Sequence, residues 1–210
     1  MAFNFGQDEF RARAPERLLR EPPLGHARSD DDLNPDARAI PYDRVPQRAA
    51  VLVPLVQRAD GLSLLLTQRT KTLSSHPGQV AFPGGKVDEG ETDPVATALR
   101  EAREETGLSE EFIEPVGFLD GYLTRTAYRV VPVVAMLREG FQLKPAKGEV
   151  AHIFEVPLSF LMTPENHALH QREWNGRTRQ FYAMPYEGHY IWGATAGMIR
   201  NLFDRMYGTP

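Results

Sequence analysis

The chain has 210 residues, 41% of them hydrophobic and 25% charged, a composition that predicts one globular domain with a terminal extension. Its formal net charge of −4 argues against nucleic acid as a partner, since such a protein would usually present a basic face. The absence of cysteine excludes a disulfide framework, a thiol nucleophile and a thiolate metal site.

Residues 1–46 read as an arm. Asp8–Leu19 suits a short helix despite Pro15, with Phe10, Leu18 and Leu19 as docking side chains. After it, Pro22-Pro23, the acidic run Asp30-Asp31-Asp32 and the prolines at 35, 41 and 46 disfavour regular structure, so this part is expected to be extended along the domain surface or mobile. The domain proper, 47–210, opens with a buried strand at Ala49–Val53, which turns at Asp60-Gly61 into Leu62–Thr67. Val80–Phe82 predicts a further short strand that feeds a glycine turn at Gly84-Gly85. A helix follows: Asp93 suits the N-cap, Pro94 the first helical position and Gly107 the residue just past the end. Its buried face would carry Val95, Ala98, Leu99 and Ala102. Ile113–Leu119 and Val130–Leu137 predict strands, and Pro132, which cannot donate to a ladder, suggests an edge or a bulge. Val150–Val156 ends at Pro157. Arg179–Met184 and His189–Trp192 are two more strand candidates. Gly193–Tyr207 closes the chain as an amphipathic helix with Met198, Ile199, Leu202 and Met206 on one face. Together these elements predict an α/β fold, a mixed sheet covered on both faces. The longest apolar runs, 49–56 and 130–137, are far shorter than the roughly 20 residues of a membrane helix, and no secretory pattern is present. No membrane partner and a cytoplasmic location are expected.

The chemistry concentrates on the first helix of the domain. Glu101, Glu104 and Glu105 fall on one arc in its last turns, where the helix dipole prefers cations and like charges cost roughly 0.2–0.5 kcal/mol per pair. Arg100 and Arg103 offset part of that repulsion, and a bound cation would offset more; the alternative is a solvated acidic face. Glu101 and Glu105 lie one turn apart, about 6 Å along the axis, so both can reach one Mg²⁺ or bridge two. A metal held this way suits phosphoryl chemistry, with Glu101 as one candidate acceptor of the water's proton; Glu149, a loop glutamate, reads on its own as a solvated surface residue. Upstream, Arg69 and Lys71 are cations that can meet phosphate, and Gly78, Gly84 and Gly85 let backbone amides come close to it. Tyr122–Tyr128 reads as a polar, aromatic loop that either lines a pocket or connects strands. Trp174, Tyr182 and Trp192 are either core or stacking residues.

The segment from Gly85 resembles the Nudix box: Gly, five residues, Glu, seven residues, then Arg-Glu-apolar-x-Glu-Glu-x-Gly-apolar. Gly85, Glu91, Arg100-Glu101-Ala102, Glu104-Glu105 and Gly107-Leu108 fill it, with eight residues instead of seven between Glu91 and Arg100. The resemblance implies a Nudix-type α/β/α sandwich with a mixed sheet. It also implies Mg²⁺ or Mn²⁺ on Glu101, Glu104 and Glu105, Arg100 as their positioning partner, and a further acid downstream, for which Glu149 stands in the matching place. The run Leu65–Gly85 resembles the signature of the coenzyme A diphosphatase branch of that family, Leu-Leu-Thr-x-Arg followed by His-x-Gly-Gln-Val-x-Phe-Pro-Gly-Gly. That branch tolerates the longer spacing. Arg69, Lys71, His76, Gly78, Gln79, Gly84 and Gly85 become its candidate substrate contacts. Further echoes are Val131–Val134, Glu149-Val150 with Val156–Leu158, and Ile191–Ala196. The implied reaction is hydrolysis of the diphosphate of coenzyme A, a small-molecule substrate, with a homodimer left open. The rival readings are a Nudix hydrolase of another nucleoside diphosphate derivative, such as ADP-ribose or a dinucleotide, and a non-catalytic nucleotide sensor. The full set of acids speaks against the sensor.

Overall fold

The computed structural model describes residues 3–37, 45–174 and 176–208. Strands β1 (Gln47–Arg58) and β2 (Gly61–Arg69) form a hairpin that stays paired only from the turn to Leu55↔Leu64. Beyond that point the two strands part. Two short strands fill the opening: β3 (Val80–Ala81) pairs with the far end of β2, and β4 (Gly84–Lys86) pairs with β1 at Ala49–Val51. The glycine pair expected as a turn is therefore strand. A Cβ on Gly84 would run into the backbone of Ala50 and Val51, so only glycine lets β4 lie this close.

After the helix α2 (Pro94–Thr106) come β5 (Ile113–Phe118) and β6 (Tyr122–Thr124). Both pair with one side of β7 (Tyr128–Leu137), whose other side runs parallel to β1 from Gln47↔Tyr128 to Val56↔Leu137. The strand β8 (Val150–Pro157) covers the outer side of β2. Contrary to expectation, Pro132 sits in the interior of this sheet, and the nearest irregularity in pairing is in β5 at Pro115–Gly117. The Pro132 carbonyl accepts the Leu119 N–H at 3.1 Å, so its ring nitrogen faces the break between β5 and β6, where no ladder acceptor waits. Pro54 repeats the device at the break between β4 and β2.

Alternation along the strands divides the core in two. Ala50, Leu52, Leu65, Val133 and Ala135 face α2 and bury its Ala98 and Ala102. Val53, Leu55, Leu64, Leu66 and Val134 face the other way, against helices α1 (Gln7–Arg17) and α4 (Ala194–Met206). The short helix α3 (Leu158–Leu161) leads from β8 to a second sheet of β9 (Ala168–Trp174), β10 (Arg177–Tyr186) and β11 (His189–Trp192), order β9-β10-β11. That sheet lies on the α4 side of the sandwich, through Met184 and Ile191. Sequence reasoning missed β9, whose residues carry no β-branched side chain and no apolar alternation.

The N-terminal segment packs on the domain. Phe10 is fully buried, Ala14 and Leu18 are buried, and Pro15 stands within α1. Leu19 and Arg28 then bridge to Phe118 and Tyr122, and two 3-10 turns follow at Asp30–Leu33 and Pro35–Ala37. Pro41, read as a breaker, lies outside the described residues. Among the described residues no helix is long and apolar enough to cross a membrane.

Candidate active site

Local sequence builds α2 as its caps suggest. Asp93 accepts the Val95 N–H at 2.9 Å, Pro94 opens the first turn, and Gly107 adopts a left-handed φ of 72° with its N–H on the Arg103 carbonyl. The helix packs through Ala98 and Ala102, with Val95 and Leu99 half-buried beside them. This orientation carries Glu105 inward, to 5% exposure, and Glu101 to the edge of β4; the Glu104 carboxylate remains in solvent.

The wedge strand meets the acids directly. The Gly84 N–H donates to Glu105 Oε2 at 3.2 Å, and a Cβ on Gly85 would collide with the Glu101 carboxylate. Arg69 closes the other side, its Nη1 3.6 Å from Glu105 Oε1. Burial pushes the Glu105 carboxyl up to about 7, and the charges of Glu101 and Glu149 add to the shift against Gly84 and Arg69. Glu101 is also raised, by burial first, although Arg100 opposes this.

Arg100 links the box. Its guanidinium donates to Glu91 (3.1 Å), Glu101 (2.9 Å) and the Lys86 carbonyl (3.1 Å), and lies 3.5 Å from both Glu104 and Asp88. Glu91 in turn accepts from the Asp88 N–H and the Thr97 hydroxyl, and with Arg100 these hold its carboxyl down to about 2. Asp88 and the Lys86 carbonyl were absent from the sequence-based site. Glu91 was visible there as a box residue, but the longer spacing concealed its role.

The run before the box folds back along β2. The Gln79 carbonyl accepts the Arg69 N–H at 2.9 Å, the Gly78 N–H reaches the Thr70 carbonyl, and Gln79 Oε1 lies 3.1 Å from His76 Nδ1. Thr70 also ties β2 to the loop of Glu149, donating its N–H to the Glu149 carbonyl at 2.8 Å and its hydroxyl to the Gly148 carbonyl. Arg69, Arg100, Glu101, Glu105, Gly84 and Gly85 are thus in contact, with Glu104 on the rim. Gly78, Gln79 and Glu149 join through backbone only. Lys71 is exposed, and His76 meets Gln79 and, among the described residues, no acid. The Tyr122–Tyr128 stretch is a hairpin of β6 and β7, with Tyr122 buried and bonded to Asp30 at 2.8 Å. Tyr182 lies under the Arg200 guanidinium, and Trp192 stands beside Phe181; the Trp174 side chain lies outside the described residues.

Among the described residues, no three carboxylate or imidazole side chains already converge as a metal cage. The donor set nevertheless suits a hard divalent ion, since the side chains of Glu101 and Glu105 offer it carboxylate oxygens. Glu105 is a buried carboxylate whose nearest cation stands 3.6 Å away, and the buried Arg69 Nε has no hydrogen-bond partner among the described residues. The first invites a cation and the second an anion.

Comparison with known proteins agrees with this geometry. The NUDIX domain matches residues 46–180, well over half of the chain. The chain belongs to the Nudix family. Nudix hydrolase 15, mitochondrial, of Arabidopsis thaliana is 38% identical over 172 residues; the match covers 79% of this chain and 60% of the plant protein's length. A Nudix hydrolase named NudL, from Klebsiella pneumoniae, is 37% identical over 97% of this chain and 96% of its own. Among solved structures, the Nudix hydrolase RenU of M. smegmatis superposes with a TM-score of 0.53 over 80% of this chain and 89% of its own; at 20% identity it supports the shared fold alone. The fold is thus the Nudix α/β/α sandwich with a mixed sheet. Nudix hydrolases generally require divalent ions, typically Mg²⁺.

Proposed function

We propose that this Nudix chain is a Mg²⁺- or Mn²⁺-dependent hydrolase of the diphosphate linkage of coenzyme A or its thioesters, releasing 3′,5′-adenosine bisphosphate and 4′-phosphopantetheine or its acyl form. The observation that carries the reading is the contact of the run before the box with the acids. Arg69 and Gly84, both from that run, touch Glu105, the most buried of the carboxylates. Glu101, Glu104 and Glu105 would hold the divalent ion, which neutralises the diphosphate and lowers the pKa of a bound water. Arg100 fixes Glu101 and Glu104, and Glu91 fixes Arg100. The unpartnered Nε of Arg69 points to a phosphoryl oxygen as its acceptor, with Lys71 and the Gly78 and Gly85 amides as further donors. His76 and Gln79 shape that loop. Glu101 or Glu149 takes the proton of the attacking water. Glu149 is exposed, and its charge is felt at Glu105.

Incubation with coenzyme A and Mn²⁺, with products separated by chromatography, tests the reading. The two named products are expected, and Glu105→Gln should lower turnover about 100-fold or more. Brisk turnover of ADP-ribose or a dinucleotide beside intact coenzyme A would assign the chain to another nucleoside diphosphate derivative. A cytoplasmic location belongs to the same proposal and is tested by fractionation, since one plant relative is named mitochondrial and another chloroplastic.

A further inference from the structure

The face of the second sheet that points away from α4 carries a closed group of four rings. Phe181 and Trp192 have centroids 5.3 Å apart, Tyr190 and Trp192 6.2 Å, His170 and Tyr190 5.8 Å, and His170 and Phe181 6.3 Å. His170 Nδ1 lies 2.7 Å from the Tyr190 hydroxyl oxygen, which ties β9 to β11 across β10. The alternate residues Met184, Ile191 and His189 point inward, the first two fully buried and the last stacked 3.7 Å from Phe154. The rings are only partly covered, and Tyr190 is 41% exposed.

The same face continues toward the β9–β10 hairpin as arginine. Arg172 and Arg179 are direct partners in the ladder, and Arg177 lies one rung pair further on. Like charges opposite each other in a sheet are destabilising. Arg179 has Asp31 at 3.5 Å, but that carboxylate also takes Arg125 at 2.9 Å. Arg172 and Arg177 form no ion pair among the described residues. Arg177 and Arg179 also border a cavity of about 740 Å³ with Asn34 and Gln171.

Two contacts link the neighbours of this sheet to the strands beside the acids. The Thr195 hydroxyl, on α4 three residues after Trp192, donates to the Val80 carbonyl at 3.0 Å, and the chain turns back at Phe82-Pro83 from β3 into β4. At the other end, the hairpin that bears Arg125 holds Tyr128 at 5.8 Å from the Lys86 Nζ, beside Gly85.

We propose that this face is a subsite for a purine nucleotide carrying a second phosphate on its ribose, the base stacked on Trp192 and Tyr190 and the ribose phosphate held by Arg172 and Arg177. Aromatic stacking accepts any flat base, and the arginines supply the selectivity for the extra charge. The inference rests on the proposed hydrolysis only for the identity of the ligand, since 3′,5′-adenosine bisphosphate is such a nucleotide.

Its test needs no turnover. Trp192 is one of two tryptophans, so Trp174→Phe makes it the sole indole reporter. In that protein, 3′,5′-adenosine bisphosphate and 5′-AMP should both quench the Trp192 emission, the bisphosphate binding at least about tenfold more tightly. Adding Arg172→Gln and Arg177→Gln should bring the two within about twofold, with an unchanged circular dichroism spectrum. Absence of quenching, or a preference that survives both substitutions, would overturn the proposal. Cleavage of coenzyme A without quenching rejects the subsite and keeps the hydrolase reading. Selective quenching with coenzyme A left intact does the reverse.

Discussion

At the scale of single residues, Glu105 is the most consequential. Its carboxyl is raised from an ordinary 4.5 to about 7, so the neutral form is favoured by folding. The stability this contributes is fully present below pH 4.5 and is lost as pH rises through 7, which makes the ionised side chain a liability of at most about 3 kcal/mol in the metal-free protein at pH 8. Glu105→Gln keeps an oxygen for the Gly84 N–H and removes the charge. Thermal unfolding in EDTA should therefore show the Gln variant gaining on the parent between pH 5 and pH 8. An offset that stays constant with pH would show that Glu105 ionises freely in the fold. Arg100 makes a second test. Lysine cannot reproduce its forked contacts with Glu91, Glu101 and the Lys86 carbonyl, so Arg100→Lys should lose about 10- to 100-fold in kcat with little change in Tm. Equal losses in Arg100→Lys and Arg100→Met, together with a large fall in Tm, would mark it as a structural tie.

Among the elements, α2 was legible because everything that defines it is local. Asp93, Pro94 and Gly107 cap it, Ala98 and Ala102 mark its buried face, and the acids follow from spacing. The wedge of β3 and β4 was not legible. It exists because β1 and β2 part beyond Leu55↔Leu64, a long-range event that leaves no periodic signal at Gly84–Lys86. Pro132 misled for a related reason: its missing donor is harmless only where β5 gives way to β6, which cannot be read from β7 itself. In the same way, the exposure of Lys71 and the detachment of His76 from the acids depend on how one loop folds back. The wedge carries its own prediction. Gly85→Ala drives a methyl into the Glu101 carboxylate, so it should weaken Mn²⁺ binding at least about tenfold by calorimetry while the far-ultraviolet circular dichroism stays native. Unchanged Mn²⁺ affinity would mean that Glu101 is not held against β4.

Across the whole molecule, the segment before the domain is fastened to it at several points. Phe10 is fully buried against the α4 side of the core, Arg28 pairs with Asp120 and Asp204, and Arg205 of α4 binds Asp120 as well. Phe10→Ala should cost about 3–5 kcal/mol, a fall in Tm of roughly 6–20 °C for a chain of this size. A fall of only a degree or two would show that the segment rides on the surface. With the arm, both core layers and the second sheet in place, the question that remains is what the acids of α2 are for. A metal-free crystal soaked in Mn²⁺ and measured at the manganese edge answers it most directly. Anomalous density between Glu101 and Glu105, with oxygen ligands at about 2 Å, is the expected result. An empty gap at millimolar Mn²⁺, with both carboxylates turned to solvent, would contradict it.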